Sequence, residues 1–148
     1  MSKKYFFDTS ALIKLYHNEL GTDDLADMLA SQNPEILISD LTLIEMVSAF
    51  AKKVRMNDID RDTFKEIMIM FESDIRLFDI VEITKDMKLH AAELLKSIGV
   101  QRGLKTLDAL QLSCALKVSE NESVDRFIVS DKILGEIAES QGLTVHTA

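Results

Sequence analysis

The sequence predicts an α/β fold, a three-layer sandwich in which a parallel β-sheet lies between helices on both faces. Three observations predict it. Short, continuously apolar runs such as Tyr5-Phe6-Phe7, Ile36-Leu37-Ile38 and Phe127-Ile128-Val129 are the mark of strands buried on both faces. Longer segments with apolar residues at helical spacing separate those runs. Strand and helix alternate along the chain, and that alternation demands crossovers, which are right-handed, and hence a parallel sheet.

Lys4-Tyr5-Phe6-Phe7 is the first strand and ends at Asp8. Ser10 to His17 is helical, with Leu12, Leu15 and Tyr16 able to share an apolar face. After the Gly21 break, Thr22 to Ala30 forms a second short helix carrying Leu25, Met28 and Leu29. Asn33-Pro34 is a turn, and Ile36-Leu37-Ile38 the second strand. Leu41 to Met56 is a strong helix, with Leu41, Ile44, Val47 and Val54 repeating at helical spacing. Asp60 to Ile75 is another, with Phe64, Ile67, Met68, Phe71 and Ile75 on one face. Ile80-Val81-Glu82-Ile83 makes the third strand. Helices follow over Lys85 to Ile98 and from about Lys105 to Val118, with Gly99 and Gly103 marking the break. Phe127-Ile128-Val129 is the fourth strand, Lys132 to Ser140 the last helix, and Leu143 to His146 a short fifth strand.

Bulk properties set the frame. The 148 residues suit one domain with a substantial core, and one proline, five glycines and no low-complexity tract leave no linker to divide them. No apolar run approaches the roughly 18 residues of a membrane span, and the N-terminus lacks the apolar stretch of a signal peptide. The lone Cys114 lies in an apolar helical pattern, which reads as a buried, inert thiol in a reducing cytoplasm. The net charge of −8 weighs at first against nucleic acid, whose phosphates are bound by Lys and Arg. Carboxylates neutralised by divalent cations and a local basic patch both soften that objection.

In a parallel sheet, ligands bind beyond the carboxyl ends of the strands, where the strand order switches. Asp8, Asp40 and Asp131 follow apolar strands there, while Glu45 and Asp108 interrupt the apolar helical sequences LTLIEMVSAF and LKTLDALQLSCAL. A carboxylate on an apolar helix costs free energy unless something satisfies it. Several together repel one another unless a cation lies between them, and all-oxygen sites suit Mg²⁺ or Mn²⁺. Each acid has a structural reading beside this one. Asp8, Asp40 and Asp131 equally suit helix N-caps, Glu45 follows Thr42 at the spacing of a capping box, and Asp108 suits the positive end of its helix.

With these residues in place, the chain resembles the PIN-domain family, and within it the VapC-type toxins of toxin–antitoxin pairs. The resemblance spans nearly the whole chain. It is carried by FFDTSALIKLY, SDLTLIEMVSAFAKKVR, LKTLDALQLSCAL and FIVSDKILGEIAESQGLTV, in the family's order. It implies a five-stranded parallel sheet and a metal site of Asp8, Glu45, Asp108 and Asp131, with Ser10 as a supporting hydroxyl. It further implies a Mg²⁺- or Mn²⁺-dependent ribonuclease that leaves a 5′-phosphate and a 3′-hydroxyl, a cognate antitoxin and a homodimer. Asp40 is kept as a cap. One departure is visible: many relatives read DALHLA where this chain has Asp108-Ala109-Leu110-Gln111-Leu112-Ser113, and Gln111 cannot titrate as His would.

Carboxylates without a Ser/His, Cys/His or Lys nucleophile point to attack by water, assisted by metal. Lys14, Lys52 and Lys105 recur beside the proposed ligands, either as RNA contacts or as ordinary solvated surface. His17, His90 and His146 lack metal-type spacing and are given no role. The Phe64–Phe78 region reads as helical core or as a dimer contact. Three rival functions stay in view: another metal phosphohydrolase acting on a small phosphorylated metabolite, a non-catalytic interaction module, and a receiver-like domain. The last would need a phosphate-contacting Lys after a late strand, and none is convincing.

Overall fold

The computed structural model describes residues 2–148. Five strands, β1 (Lys4–Phe7), β2 (Glu35–Ser39), β3 (Asp79–Val81), β4 (Arg126–Val129) and β5 (Val145–Thr147), form one sheet in the order β3-β2-β1-β4-β5. Every neighbouring pair is parallel. The connecting helices are α1 (Thr9–Leu12), α2 (Thr22–Gln32), α3 (Asp40–Arg55), α4 (Arg61–Asp74), α5 (Lys85–Leu94), α6 (Thr106–Asn121) and α7 (Lys132–Ser140). The α/β class and five-stranded parallel sheet expected from the sequence are those observed.

Alternation along β1 divides the core in two. Phe6 packs with Leu37, Phe127 and Val129 under α5, α6 and α7, where Met87, Leu94, Leu112, Leu134 and Ile137 are buried. Tyr5 and Phe7 face the other way with Ile38 and Ile128, covered by Leu12, Leu25, Met46, Phe50, Ile67 and Phe71 from α1 to α4. Both faces are thus closed, as the unbroken apolar runs require. Helix α7 rides close to its strands at Gly135, where an added Cβ would lie 3.3 Å from Val129 Cγ1 and from Thr147 Oγ1.

Several boundaries differ from expectation, each for a local reason. The first helix is α-helical only to Leu12 and tightens to a 3₁₀ turn over Ile13–Leu15. Tyr16, beyond that turn, stacks edge-on against Phe71 and donates its hydroxyl to Asp74 at 2.6 Å. The fifth helix ends in a π-turn at Leu95–Gly99, where the Ser97 hydroxyl bonds back to the Glu93 carbonyl at 3.0 Å and widens the coil. β3 stops at Val81, because the Ile83 N–H is donated to the Asp40 carboxylate at 3.1 Å and not to a ladder. Leu143 belongs to the end of α7 and not to β5: its N–H reaches back to the Ala138 carbonyl past Gly142, which takes φ +99°.

The apolar repeat of α3 is the plainest correction. Ile44 and Val47 are 69% and 44% exposed, and the buried face is instead Thr42, Met46 and Phe50. The burial stripe is rotated from the strongest apolar repeat because it includes a threonine. In α4, by contrast, Ile67 and Phe71 are buried with Phe64, Met68 and Ile75 packed on them, which makes that stripe core and leaves Ile69, Met70 and Leu77 outside.

Candidate functional site

From β1 the chain passes to β2 on one side, and β4 later joins β1 on the other, so strand order switches between β1 and β4. Asp8 is the first residue beyond β1 and is held to β4 by its own N–H, which donates to the Ile128 carbonyl at 2.9 Å. Its carboxylate Oδ2 accepts from the N–H and the hydroxyl of Ser10. That hydroxyl in turn accepts from the Ser130 N–H at 3.1 Å, so Ser10 fastens the end of β1 to the end of β4. Asp131 stands one residue further on. Its Oδ1 accepts from the Ile133 and Leu134 N–H groups and caps α7.

Glu45 comes from α3 and Asp108 from the first turn of α6. The four acids share one field. Asp8 is 5% exposed, and burial drives its pKa up to about 6 against the pull of the Ser10 hydrogen bonds, with Asp108 and Glu45 adding to the rise. Asp108 is likewise raised, by burial first and then by the charge of Asp131, while Lys105 opposes the shift. Among the described residues, none of the four carboxylates is in a salt bridge. Nor do three His, Cys, Asp or Glu side chains among them stand in a ready-made ligand cage. The donor chemistry nevertheless fits a hard divalent cation, since all four groups are carboxylates outside any salt bridge among the described residues.

The structural readings of these acids come out unevenly. Asp8 and Asp131 are N-caps, as their position after strands suggested, yet each spends only one oxygen on capping. Asp40 is not a cap: it is the first helical residue after Ser39 and ties α3 to Ile83. Thr42 and Glu45 form no capping box. Thr42 is fully buried, and Glu45 Oε1 accepts from the Thr9 hydroxyl at 2.7 Å and from Gln111 Nε2 at 2.8 Å. Gln111, 1% exposed, also donates to Thr42 Oγ1 at 2.9 Å and accepts from the Ser39 hydroxyl at 3.0 Å. Thr9 and Ser39 escaped the sequence reading, Thr42 entered it only as a capping-box partner, and Gln111 only as a departure from relatives. Their one visible signal is polarity inside otherwise apolar segments.

Residues 5–139 match the family model of the PIN domain. The chain belongs to the PIN-domain family. No curated protein matches it in sequence. Among solved structures, it is similar to VapC20 of Mycobacterium tuberculosis, a sarcin–ricin loop cleaving toxin, at 17% identity and a TM-score of 0.67, with 95% of this chain and 96% of that one covered. It is similar to VapBC2 of Rickettsia felis bound to a promoter DNA fragment, at 18% identity and a TM-score of 0.65, with 98% of each covered. A toxin–antitoxin complex from Klebsiella pneumoniae follows at 19% identity and a TM-score of 0.64, with 97% and 96% covered. At such identities the likeness establishes a shared PIN fold.

Around the acids of this PIN domain the three lysines differ. Lys14 is committed: its ammonium donates to the Leu20 and Ala148 carbonyls at 2.7 and 3.0 Å. Lys52 is exposed and lines a cleft of about 440 Å³ together with Ser10 and Ser130, beside Asp8. Its neighbour Lys53 is paired with Glu19 at 3.6 Å. Lys105 is exposed at the N-cap of α6, close enough to Asp108 to act on its charge. No helix among the described residues is long and apolar enough to cross a membrane.

Proposed function

We propose that this PIN domain is a metal-dependent endoribonuclease that hydrolyses RNA phosphodiester bonds, the toxin of a type II toxin–antitoxin pair. The observation that carries the reading is Asp8: a carboxylate at the switch in strand order, buried, forced upward in pKa, and facing other acids with no cationic partner. A protein keeps such a group at a cost to stability, and the cost is offset when a cation binds. Asp8, Glu45, Asp108 and Asp131 would hold Mg²⁺ or Mn²⁺. Such a cation, when bound, supplies a water of lowered pKa and stabilises charge developing on the phosphate.

The chain's own residues supply the rest. Ser10 takes Asp8 Oδ2 into hydrogen bonds and leaves Oδ1 for the site. Asp131 likewise spends Oδ1 on α7 and leaves its other oxygen. Lys52, in the cleft with Ser10, and Lys105, whose charge acts on Asp108, meet phosphates. The neighbours support the same assignment: one is a sarcin–ricin loop cleaving toxin, and another is a toxin–antitoxin complex. Exposed Ile44, Val47, Leu107 and Ile133, next to Glu45, Asp108 and Asp131 in sequence, suit an antitoxin that covers the site. A single domain working as a homodimer in the cytoplasm completes the proposal.

The test is cleavage of a mixed single-stranded RNA panel with Mg²⁺, Mn²⁺ or EDTA, comparing wild type with Asp8→Asn. Cutting that needs the metal and vanishes in the variant is the expected result. Cutting that persists in EDTA, or in Asp8→Asn, overturns the proposal.

A further inference from the structure

Gln111 lies at the meeting point of four elements. Its side chain reaches Thr9 on α1, Ser39 at the end of β2, and Thr42 and Glu45 on α3, all from α6. The way its amide faces is forced by chemistry. A carboxylate only accepts hydrogen bonds, so the group against Glu45 Oε1 must be the NH₂ and not the carbonyl. The carbonyl is then left to accept from the Ser39 hydroxyl, as observed at 3.0 Å.

One arrangement of protons satisfies the whole cluster. Ser39 donates to the Gln111 carbonyl, and the two amide hydrogens go to Glu45 Oε1 and Thr42 Oγ1. Thr9 donates to the same Glu45 oxygen, and Thr42 donates to Thr9 across 3.0 Å. Every donor in the network is used once. A fully satisfied buried network is rigid, because any rotation leaves a buried polar atom unpaired. Both donors to Glu45 converge on Oε1, and among the described residues Oε2 receives no hydrogen bond.

We infer that Gln111 is a positioning residue of the metal site: it pins Oε1 of Glu45 so that Oε2 alone is presented to the cation. The inference rests on the reading of Glu45 as a ligand and assigns to this chain a support that neither periodicity nor motif spacing marks. Polar partners that hold a metal ligand in place typically govern metal affinity by about 10- to 100-fold. Without Gln111 the carboxylate is held by the Thr9 hydroxyl alone and regains part of its rotation, and the cation must then order it on binding.

The experiment is titration of RNA-free protein with Mn²⁺, reading the free ion by electron paramagnetic resonance, on wild type and Gln111→Met. Methionine matches the length of glutamine but offers no donor. Thermal melting in EDTA reports whether the variant is folded. The expected result is cooperative melting with Mn²⁺ affinity reduced about tenfold or more. A folded Gln111→Met that binds Mn²⁺ as tightly as wild type overturns the inference alone. If wild type itself holds no Mn²⁺, the metal-site reading falls and takes the inference with it. Should Gln111→Met fail to fold, Gln111→Asn replaces it, keeping the amide but withdrawing it by one methylene, with the same expected loss and the same overturning result.

Discussion

Burial withdraws water from the Asp8 carboxylate, and the two hydrogen bonds from Ser10 replace only part of what is lost. Its folded pKa of about 6 lies above the ordinary 3.8, so between those values the folded protein binds more protons than the unfolded chain. Stability of the metal-free protein therefore falls as pH rises through that window, and the penalty is complete above about pH 6. A shift of this size corresponds to about 3 kcal/mol. Asparagine keeps an acceptor for Ser10 and carries no charge. Asp8→Asn is thus expected to melt several degrees above wild type in EDTA near pH 7.5, with the gain shrinking to nothing by about pH 4. Equal melting temperatures near pH 7.5 would show that Asp8 bears no strain.

At the scale of elements, Asp131 does two jobs that substitution can separate. As the N-cap of α7 it satisfies two backbone N–H groups, and asparagine retains that capacity while alanine does not. Asp131→Ala should lose about 1 kcal/mol in urea denaturation and Asp131→Asn only a few tenths, whereas both should lose RNA cleavage. An asparagine variant as unstable as the alanine one would mean that the charge, and not the cap, holds the helix. The same element-level logic explains what was legible beforehand. Tyr5-Phe6-Phe7 announced a two-faced strand because burial on both sides leaves no room for polar residues. The order of strands and helices followed from unbroken apolar runs, helical period and the glycine and proline breaks between them. The buried face of α3 did not, because Thr42 sits where an apolar residue would ordinarily mark the stripe and exposed Ile44 and Val47 mimic one. The cluster around Gln111 was beyond reach for a different reason: Thr9 is 102 positions away and Glu45 66, and no local spacing encodes that meeting.

Across the whole molecule, a net charge of −8 bears on how the proposed RNA substrate would be held. Lys14 and Lys53 are tied to carbonyls and to Glu19, and Arg102 to Glu136 at 2.6 Å. Arg55, Arg61 and Lys65 gather at the far end of α3, around a separate cleft of about 370 Å³. Ten residues of helix place Arg55 about 15 Å along the axis from Glu45. Among the described residues Lys52 and Lys105 enter no salt bridge, and they are the two cations proposed to meet phosphate. Each phosphate neutralised on a single strand contributes about −0.7 to the slope of log affinity against log salt. With two such contacts, raising salt from 50 to 200 mM should weaken binding roughly sevenfold. Fluorescence anisotropy of labelled RNA with the Asp8→Asn protein measures this without cleavage. Lys52→Ala or Lys105→Ala should each make the dependence shallower by about half. A loss of about a hundredfold over the same range, as about five contacts give, would place the RNA on the Arg55–Arg61 end of the molecule as well, and would extend the binding surface well beyond the acidic crevice.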